Sequence, residues 1–579
     1  MLFVSILIII MAIAIFSMVI NHFYQILFSR ITSIILLYSG ALALNALYIQ
    51  SIGSGISIYS GLFNINLISQ CIDMLLSLLG GLILISQPGI IEMKTSNEKN
   101  IITTRMLSGL SGKYSIIILF SILGSSLLIS TSNLLSMYLS IELQSFGLYI
   151  LTSLFKNNKL ATSAGLKYFL LGGLASCVIL LGTAIIYFFT GLTNLDSIFS
   201  LISVFITENE NQLIQGIILG FVLLIIGFLI KLAAAPLHFW APDVYDESPT
   251  IITIWLTIMP KIAILIFLLN LIMGVQSFNN IYESIKLITI SSIGLKTLLL
   301  LISLFSLIIG TIVGLKQFKL KRLLAFSTIS HTGFLLLALA INSEQSIESF
   351  LFYIIQYSLT NLNTFLIILA LGYINIINKF NSSPLEFQQL FKNEVNSESE
   401  SIDNLDINYL TDLKEQFINN PILSINLVIC LFSMAGIPPL IGFFAKQTVL
   451  YSAIQSGYYF MSIIAIIVSV ISASYYLKII RFLFTPSDLN LRNSFSERNL
   501  PFNSLLEAVS NLSIKWIDGE NRIFLHFIKI NESYSISYFI TNFHSLLIST
   551  LTLIILFFIF KPSLILNSTQ LLSLTLFYF

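Results

Sequence analysis

The sequence predicts an all-α membrane protein with about fourteen transmembrane helices. Of its 579 residues, 56% are hydrophobic and 9% are charged, whereas ordinary soluble domains contain roughly 25% charged residues. Apolar stretches of about 20 residues, the length that crosses the hydrocarbon as a helix, recur from end to end with short connections. We place these stretches near 2–20, 31–50, 63–87, 114–131, 134–156, 161–188, 213–236, 250–273, 294–315, 323–341, 349–376, 422–452, 458–483 and 543–561.

The lysines and arginines lie mainly in the odd-numbered connections between these helices. The even-numbered connections hold almost none, Lys286 being the main exception, and the segment near 191–212 carries acidic residues instead. Basic loops tend to stay on the side of the membrane where the chain is synthesised. We therefore expect the odd connections on that side and both termini on the opposite side, and the clear asymmetry supports the helix count.

Composition and motifs argue against several kinds of function. A net charge of +1 gives no sign of nucleic-acid binding. Cys71, Cys177 and Cys430 lie singly in apolar runs without a CxxC pair, which argues against iron–sulfur, zinc and disulfide chemistry. The chain also lacks a dinucleotide fingerprint, so we expect no cofactor or metal site within it. The start, MLFVSILIII, has no charged leader, and we expect it to be a retained first helix.

Two polar segments interrupt the apolar pattern. The segment 379–416 is rich in Asp and Glu, and we expect it to remain unburied, as a flexible loop or one that orders on contact. The segment 485–541 mixes charge with short apolar clusters, which is compatible with an interfacial helix or a docking surface. The predicted divisions are N-terminal helices 1–3 over 1–112, a first five-helix repeat over 113–273, a second over 274–483, and a polar segment with the last helix over 484–579.

Four charged residues lie deep within predicted helices: Glu142, Lys231, Lys261 and Lys446. A lone charge at bilayer depth costs several kcal/mol, so such residues face protein or water and are commonly kept for moving ions. Glu142 lies about eight residues into its helix, roughly 12 Å deep at 1.5 Å per residue. These four residues are the strongest functional candidates in the sequence.

Two of the predicted helices contain interruptions next to these charges. Pro236 lies five residues after Lys231, and Gly436 with the pair Pro438–Pro439 precedes Lys446. Proline removes a helix hydrogen bond and clashes with the preceding turn. Broken helices in corresponding halves of a membrane protein indicate ion sites in transporters built from repeats. The interruptions fall in the seventh and twelfth helices, and this odd offset predicts an inverted repeat.

The residue types at these positions suit proton transfer. Burial in a low dielectric disfavours the charged form of a lysine, which favours proton exchange near neutral pH. Glu142 would stabilise a charged Lys231 when the two are close and release its proton when they separate. A row of lysines linked by water and by Ser327, Thr328 and His331 would carry protons along the membrane plane.

Simpler interpretations apply to the other polar residues. Lys167 lies near the basic end of its helix and could equally extend its ammonium to the interface. An isolated histidine such as His331 is more often a satisfied core residue than a relay, and His238 beside Trp240 suits interfacial packing. Asp73 is as readily a helix-end or partner contact as a transport residue. An orientation signal best explains the basic cluster of Lys316, Lys319, Lys321 and Arg322.

Five motifs lie at or beside these residues: SIELQSFGLYIL, LKYFLLGGLAS, KLAAAPLHFWAPDVYDESP, KRLLAFSTISHTGF and MAGIPPLIGFFAKQTVL. Together they resemble the antiporter-like membrane subunits of respiratory complex I over roughly residues 110–480. The resemblance implies fourteen helices with two inverted five-helix units and discontinuous helices 7 and 12. It also implies a proton relay of Glu142, Lys231, Lys261 and Lys446, with Lys167 and His331 as secondary members.

The same resemblance implies a function within a larger enzyme that oxidises NADH and reduces ubiquinone. This chain would translocate protons, while NAD, FMN, iron–sulfur clusters and ubiquinone would bind to partner subunits. The partners would be other membrane-arm and accessory subunits, with lipid, including cardiolipin, around them, in the mitochondrial inner membrane. The termini would face the intermembrane space and the basic loops the matrix. Two alternatives stay open: an Mrp-type cation/proton antiporter subunit, and a structural membrane subunit that does not pump.

Overall fold

The structure is a computed structural model that describes residues 1–16, 23–49, 55–86, 92–93, 102–103, 112–156, 158–208, 211–282, 294–382, 406–485 and 541–578. Helices dominate this part of the chain. The first ten are α1 (Leu2–Phe16), α2 (Phe23–Ala46), α3 (Leu67–Ile85), α4 (Gly112–Ser130), α5 (Leu134–Thr152), α6 (Lys159–Thr190), α7 (Leu195–Glu208), α8 (Asn211–Leu232), α9 (Trp240–Glu247) and α10 (Thr250–Tyr282). They are followed by α11 (Leu295–Leu315), α12 (Leu320–Ile341), α13 (Glu344–Ser382), α14 (Gln416–Asn419), α15 (Pro421–Ala435), α16 (Ile441–Gln455), α17 (Tyr459–Phe484), α18 (Asn542–Phe557) and α19 (Ser563–Tyr578).

Two short antiparallel hairpins and two 3₁₀ turns accompany the helices. The first hairpin pairs β1 with β2, and the second pairs β3 with β4. Their bounds, and those of the 3₁₀ turns, are β1 (Ile56–Ile58), β2 (Phe63–Ile65), β3 (Glu92–Met93), β4 (Ile102–Thr103), Leu410–Leu413 and Phe558–Phe560.

The predicted all-α membrane fold is confirmed. Twelve helices in the described ranges are long and apolar enough to cross a membrane. The two remaining predicted crossings correspond to α1, which has 15 residues, and to the interrupted pair of α15 and α16. Each of the predicted apolar stretches therefore coincides with a helix or with a broken helix.

Both predicted interruptions are present. The first break, residues 233–239, separates α8 from α9, and the second break, residues 436–440, separates α15 from α16. Each begins with a residue in the left-handed region, Ala233 with φ +59° and Gly436 with φ +88°. Prolines follow in both, and they cannot continue a helix because they lack an N–H group. Helices 7 and 12 of the predicted fourteen are therefore discontinuous.

Side chains from beyond each break satisfy the carbonyl groups that the break leaves open. The indole Nε1 of Trp240 donates to the Ile230 carbonyl at 2.8 Å. The ammonium of Lys446 donates to the carbonyls of Met434 at 2.8 Å and Ala435 at 2.9 Å. The last carbonyls of a helix have no donor within it, and leaving one buried and unpaired costs about 1–3 kcal/mol. The breaks are thus stable at membrane depth.

Three helices form the interior of the bundle. α12 is buried along its whole length, and α10 and α13 are buried over most of theirs. α12 packs against α9, α11, α13 and α16, which surround it with protein. By contrast, α6 and α17 expose large apolar side chains such as Leu166, Phe169 and Ile467, as helices in contact with lipid do. Most polar side chains in the described parts of α10, α12 and α13 therefore face protein.

Four helices were not predicted, among them α14, which has four residues. α7 has 14 residues and α9 only eight, so neither reaches the length on which the membrane prediction depends. α19 has 16 residues, and polar residues at 567–570 interrupt its apolar character. The fourteenth predicted helix, α18, is therefore followed by one more helix in the chain.

The prediction that segment 379–416 stays unburied is wrong for its C-terminal part. Residues 406–416 pack onto the protein, and Ile407 and Leu413 are buried. A few apolar residues anchor this acidic stretch to the protein. The prediction missed them because it depended on the average composition of the whole segment. The other parts of the two predicted polar segments, 383–405 and 486–540, lie outside the described residues.

Asp406 provides the polar part of this anchor. Its two carboxylate oxygens accept hydrogen bonds from the backbone N–H and the hydroxyl of Thr250, at 3.1 Å and 2.9 Å. It also pairs with Lys321, which is itself buried. Thr250 starts α10 and Lys321 lies in the first turn of α12. One carboxylate thus joins the beginnings of two interior helices, where the helix dipole favours a negative charge.

Candidate functional site

The first two predicted residues form an ion pair between α5 and α8. Lys231 Nζ lies 2.8 Å from Glu142 Oε1, and the side chains are only 7% and 12% exposed. Lys231 is in the last turn of α8, where the free carbonyl groups of a helix favour a cation. Ser145, one turn beyond Glu142, places its hydroxyl oxygen 3.4 Å from the ammonium. The pair is a buried, charge-assisted hydrogen bond.

Lys261 lies in the interior helix α10 and has a different environment. Its ammonium donates to the Thr328 hydroxyl at 3.0 Å. The rings of Tyr245 and Tyr357 lie 5.8 Å and 5.9 Å from the same nitrogen. Within the described residues no carboxylate forms an ion pair with Lys261. A hydroxyl and two aromatic faces therefore take the place of a counter-ion.

His331 lies on α12 between two phenol groups. Its Nδ1 is 2.7 Å from the Tyr353 hydroxyl, and its Nε2 is 3.3 Å from the Tyr476 hydroxyl. The ring of Tyr357, which also flanks Lys261, is centred 6.0 Å from the imidazole. A hydroxyl can both donate and accept. Both ring nitrogens therefore have partners that can exchange a proton with them.

Lys446 lies at the second break and also has no ion-pair partner among the described residues. Its ammonium hydrogen-bonds the Met434 and Ala435 carbonyls and lies 5.8 Å from the ring centre of Phe334. The backbone of Gly436 comes so close that a Cβ there would be 3.0 Å from the Lys446 Cδ. The lysine is held by backbone dipoles.

One face of α12 connects these groups. Thr328, His331 and Phe334 follow one another at a spacing of three residues, so they share that face. Thr328 contacts Lys261, and Phe334 contacts Lys446. We call Glu142, Lys231, Lys261, His331 and Lys446 the buried row. Ser327, predicted as a further link, donates its hydroxyl to the Leu324 carbonyl of its own helix.

Lys167 lies outside the buried row. Its side chain is 42% exposed and pairs with Glu247 at 3.1 Å and Asp243 at 3.5 Å. These contacts belong to a group that we call the α9 ion cluster, which also contains the pairs Lys319–Asp246 at 2.7 Å and Arg322–Asp243 at 3.1 Å. Lys167 belongs to α6 and therefore lies at the protein surface, where it pairs with two carboxylates of α9. Its predicted role as a secondary relay residue stays a prediction.

Two further residues singled out in the sequence, His238 and Asp73, lie outside the buried row. His238 is buried in the first break, against the rings of Phe239 and Phe326, as its packing interpretation predicts. Asp73 on α3 has a buried Oδ1 without a hydrogen-bond partner in the described part of the chain. Among the described residues, no three His, Cys, Asp or Glu side chains converge as metal ligands would.

Sequence reasoning missed the phenols and the buried amide of the site. Tyr353 and Tyr357 on α13 and Tyr476 on α17 provide most of the contacts around His331. Gln144 is buried beside the ion pair. A signal was present, because Tyr353 and Tyr357 lie four residues apart on one helix face and a buried phenol needs a partner.

Comparison with known proteins gives a consistent picture. The family described as NADH:quinone oxidoreductase/Mrp antiporter, TM, matches residues 131–472. The NADH-ubiquinone oxidoreductase chain 2 of Rhizopus oryzae is 45% identical over 574 residues, which cover 98% of each chain. The NADH-quinone oxidoreductase subunit N of a Wolbachia sp. is 39% identical over 375 residues, which cover 64% of this chain and 70% of that relative.

Solved structures share the fold. A chain of respiratory complex I from Thermus thermophilus has a TM-score of 0.63 at 21% identity, covering 98% of this chain and 99% of that chain. A chain of the Mrp complex from Dietzia sp. has a TM-score of 0.69 at 16% identity, covering 99% and 96%. At these identities, the likeness shows a common fold alone.

Proposed function

The chain belongs to the NADH:quinone oxidoreductase/Mrp antiporter membrane family, and on that basis we propose that it is a proton-translocating membrane subunit of respiratory NADH:ubiquinone oxidoreductase. The match to a fungal chain 2 over 98% of both chains supports the choice of this enzyme within the family. The contribution of the chain is transport, driven by redox chemistry in partner subunits.

The observation that carries the proposal is the buried pair of Glu142 and Lys231. While the two groups touch, the carboxylate stabilises the ammonium and Lys231 keeps its proton. When Glu142 moves away, an isolated ammonium in a low dielectric loses that stabilisation and releases the proton. Movement of one carboxylate by a few ångströms is therefore enough to move a proton, and the first break next to Lys231 permits such movement.

The rest of the buried row can receive and pass on this proton. Lys261 and Lys446 lack carboxylate partners in the described ranges, so each is a group that can lose or gain a proton without breaking an ion pair. His331 lies between them in contact with two phenols. The row gives a proton path along the membrane plane, from the first break to the second.

Electron transfer is assigned to other subunits. NAD, FMN, iron–sulfur clusters and ubiquinone would bind there, and this chain would contact neighbouring membrane-arm and accessory subunits, lipid and cardiolipin. We place it in the mitochondrial inner membrane with its termini toward the intermembrane space. The basic residues of the α9 ion cluster, Lys167, Lys319 and Arg322, would then face the matrix, as the positive-inside rule requires.

An Mrp-type cation/proton antiporter is the second candidate. The chain of the Mrp complex has a TM-score of 0.69, against 0.63 for the chain of complex I, although its identity is only 16%. Such an antiporter must exchange sodium for protons. Sodium-dependent proton movement in liposomes that contain the purified chain would favour it, and sodium-independent transport by the assembled enzyme would exclude it.

Replacement of Lys231 tests the proposal. Lys231→Ala in the assembled enzyme should lower proton transport through this chain by about 100-fold or more, the usual contribution of a positioned proton-transfer group. Lys231→Arg should retain the pairing with Glu142 but also fail in transport, because a guanidinium does not release its proton. Lys319→Ala removes a comparable lysine from the α9 ion cluster and should leave transport unchanged. Normal transport and NADH oxidation in both Lys231 variants would show that the chain is a structural subunit without pumping of its own.

A further inference from the structure

A small cavity lies directly beside the pair of Glu142 and Lys231. It has a volume of about 20 Å³ and is lined by residues of α5, α6, α8, α9 and α10. A cavity needs roughly 10–15 Å³ to hold one water molecule. Most of its lining is apolar, and its polar lining groups include Gln144, Ser145 and Lys231.

Gln144 is the unexplained group in this cavity. Its side chain is 2% exposed, and both the oxygen and the nitrogen of its amide are buried without a hydrogen-bond partner among the described residues. Buried amides in proteins nearly always have partners, either protein groups or ordered water. The cavity supplies the room for such a water.

Lys231 has a donor left for the same water. An ammonium carries three N–H bonds, and the contacts to Glu142 at 2.8 Å and Ser145 at 3.4 Å use two of them. A water in the cavity would have the third N–H and the Gln144 amide as partners. Buried waters typically make about three hydrogen bonds, and the hydroxyl of Ser145 completes that number.

We propose that Gln144 holds one water molecule in this cavity against Lys231, and that this water accepts the proton which Lys231 releases. The inference rests on the proposed proton transport. In the transfer, an N–H bond of the ammonium breaks, its electron pair stays on Nζ, and an O–H bond forms on the water. The Gln144 carbonyl oxygen stabilises the transient hydronium by accepting one of its hydrogen bonds.

The position of the cavity suits transfer toward the next lysine. Pro260 and Ile264 of α10 form part of its lining, and Lys261 lies between them in the sequence of the same helix. The water would therefore occupy the space between Lys231 and the helix that carries Lys261. Gln144 acts through the water and is a positioning residue.

Substitution in the assembled enzyme tests this role. Gln144→Leu removes the amide at nearly constant size, and it should reduce protons moved per NADH oxidised by at least half of the loss seen in Lys231→Ala. Gln144→Asn restores an amide and should recover most of that loss. Gln356→Leu is the matched control, because Gln356 is also buried with an unpartnered Oε1 but does not line the cavity. It should leave the yield unchanged.

The outcomes separate this inference from the function on which it rests. A normal proton yield in Gln144→Leu together with a loss in Lys231→Ala would overturn the water site and leave the proposed function standing. A normal yield in both would overturn the function itself. An equal loss in Gln356→Leu would assign the effect to burial of any glutamine and would also overturn the site.

Direct observation of the water is independent of any variant. Cryo-electron microscopy of the native enzyme, at a resolution that shows ordered water, should reveal density at hydrogen-bond distance, about 2.7–3.2 Å, from both the Gln144 amide and Lys231 Nζ. An empty cavity, or a Gln144 amide bonded to a protein group in its place, would refute the proposal even if Gln144→Leu prevents assembly.

Discussion

The first break and the second break solve the same problem in different ways. Both interrupt a helix at membrane depth, and both cover its free carbonyl groups with a side chain from beyond the break. At the first break the cover is the neutral Trp240, so that Lys231 remains available to Glu142. At the second break Lys446 is itself the cover. The same residue type therefore has a carboxylate partner at one break and backbone partners at the other.

This difference assigns different work to the two ends of the buried row. An ion pair that opens and closes changes the charge state of Lys231 with geometry, so the first break is suited to start a transfer. Lys446 is bound to dipoles that belong to its own interrupted helix, and its partners stay in place whether or not it carries a proton. The second break is suited to receive a proton and pass it on.

Loss of the carboxylate at the first break should have the largest effect. Glu142→Gln leaves a buried ammonium without its counter-ion, which typically destabilises a protein by about 3–5 kcal/mol. Lys446→Met leaves the Met434 and Ala435 carbonyls without their donor, but it also removes the cost of burying an ammonium, so it should lower stability less. Thermal denaturation of the purified enzyme with each variant measures both. Equal losses would show that the two lysines are held in equivalent ways.

Loss of the neutral cover should be the next largest effect. Trp240→Phe removes the shorter of the two hydrogen bonds that the Ile230 carbonyl accepts and leaves the one from the Ala233 N–H at 3.1 Å. It also weakens the stacking of the indole on Tyr168, so the combined cost should be about 1–3 kcal/mol. Trp255→Phe is the control, because that buried indole donates to the Ser121 hydroxyl at 3.0 Å, and the same hydroxyl keeps a bond to Ile118. Denaturation midpoints should fall further for Trp240→Phe. A smaller fall there than in the control would mean that the indole contributes little to the first break and that the Ala233 N–H is enough for the carbonyl.

A glycine exchange at the second break should have an intermediate effect. Gly436→Ala forces a Cβ onto a left-handed backbone, which costs about 1–2 kcal/mol, and places it 3.0 Å from Lys446 Cδ. Gly173→Ala in α6, where nothing lies within 4 Å of the new Cβ, should cause no loss. If both variants have the same denaturation midpoint as the unchanged protein, the close packing of Gly436 against Lys446 does not hold the lysine side chain in place.

The reverse exchange at the first break should have the smallest effect. Ala233 already has φ +59°, so Ala233→Gly relieves left-handed strain but adds freedom to the unfolded chain. These terms offset each other, and the change in unfolding free energy should stay within about 0.5 kcal/mol. A gain of several kcal/mol, measured by the same denaturation, would show that the first break stores strain which the second break avoids.

The sequence was sufficient for the predicted membrane-crossing helices, the breaks and the charged members of the row, because each leaves a local mark. Apolar length marks a membrane crossing, and proline beside lysine marks a break. The phenol partners of His331 and the carbonyl partners of Lys446 leave no such mark. The contacts of His331 with Tyr353 and Tyr476 depend on how helices pack, and residues far apart in sequence supply them. Lys167 shows the same limit, since its motif is clear but its exposure depends on where α9 lies.

Short or polar helices escaped prediction for a related reason. α9 has eight residues and a nearly even mixture of polar and apolar side chains, and it packs against α6 and α12. Ion pairs of Asp243 and Glu247 with Lys167, and of Asp246 with Lys319, contribute to those contacts. Tertiary packing often overrides weak local preference in this way.

The anchor at Asp406 constrains the order in which the protein can fold. Thr250 and Asp406 are 156 residues apart, yet their contact closes the beginning of α10 and joins it to α12 through Lys321. Contacts between distant residues form late, after the intervening chain has been ordered. The helix that carries Lys261 therefore reaches its final position only after the ribosome has completed α13 and the segment beyond it. The first half of the chain is synthesised first, but the start of α10 gains its contact with Asp406 only when the second half is present.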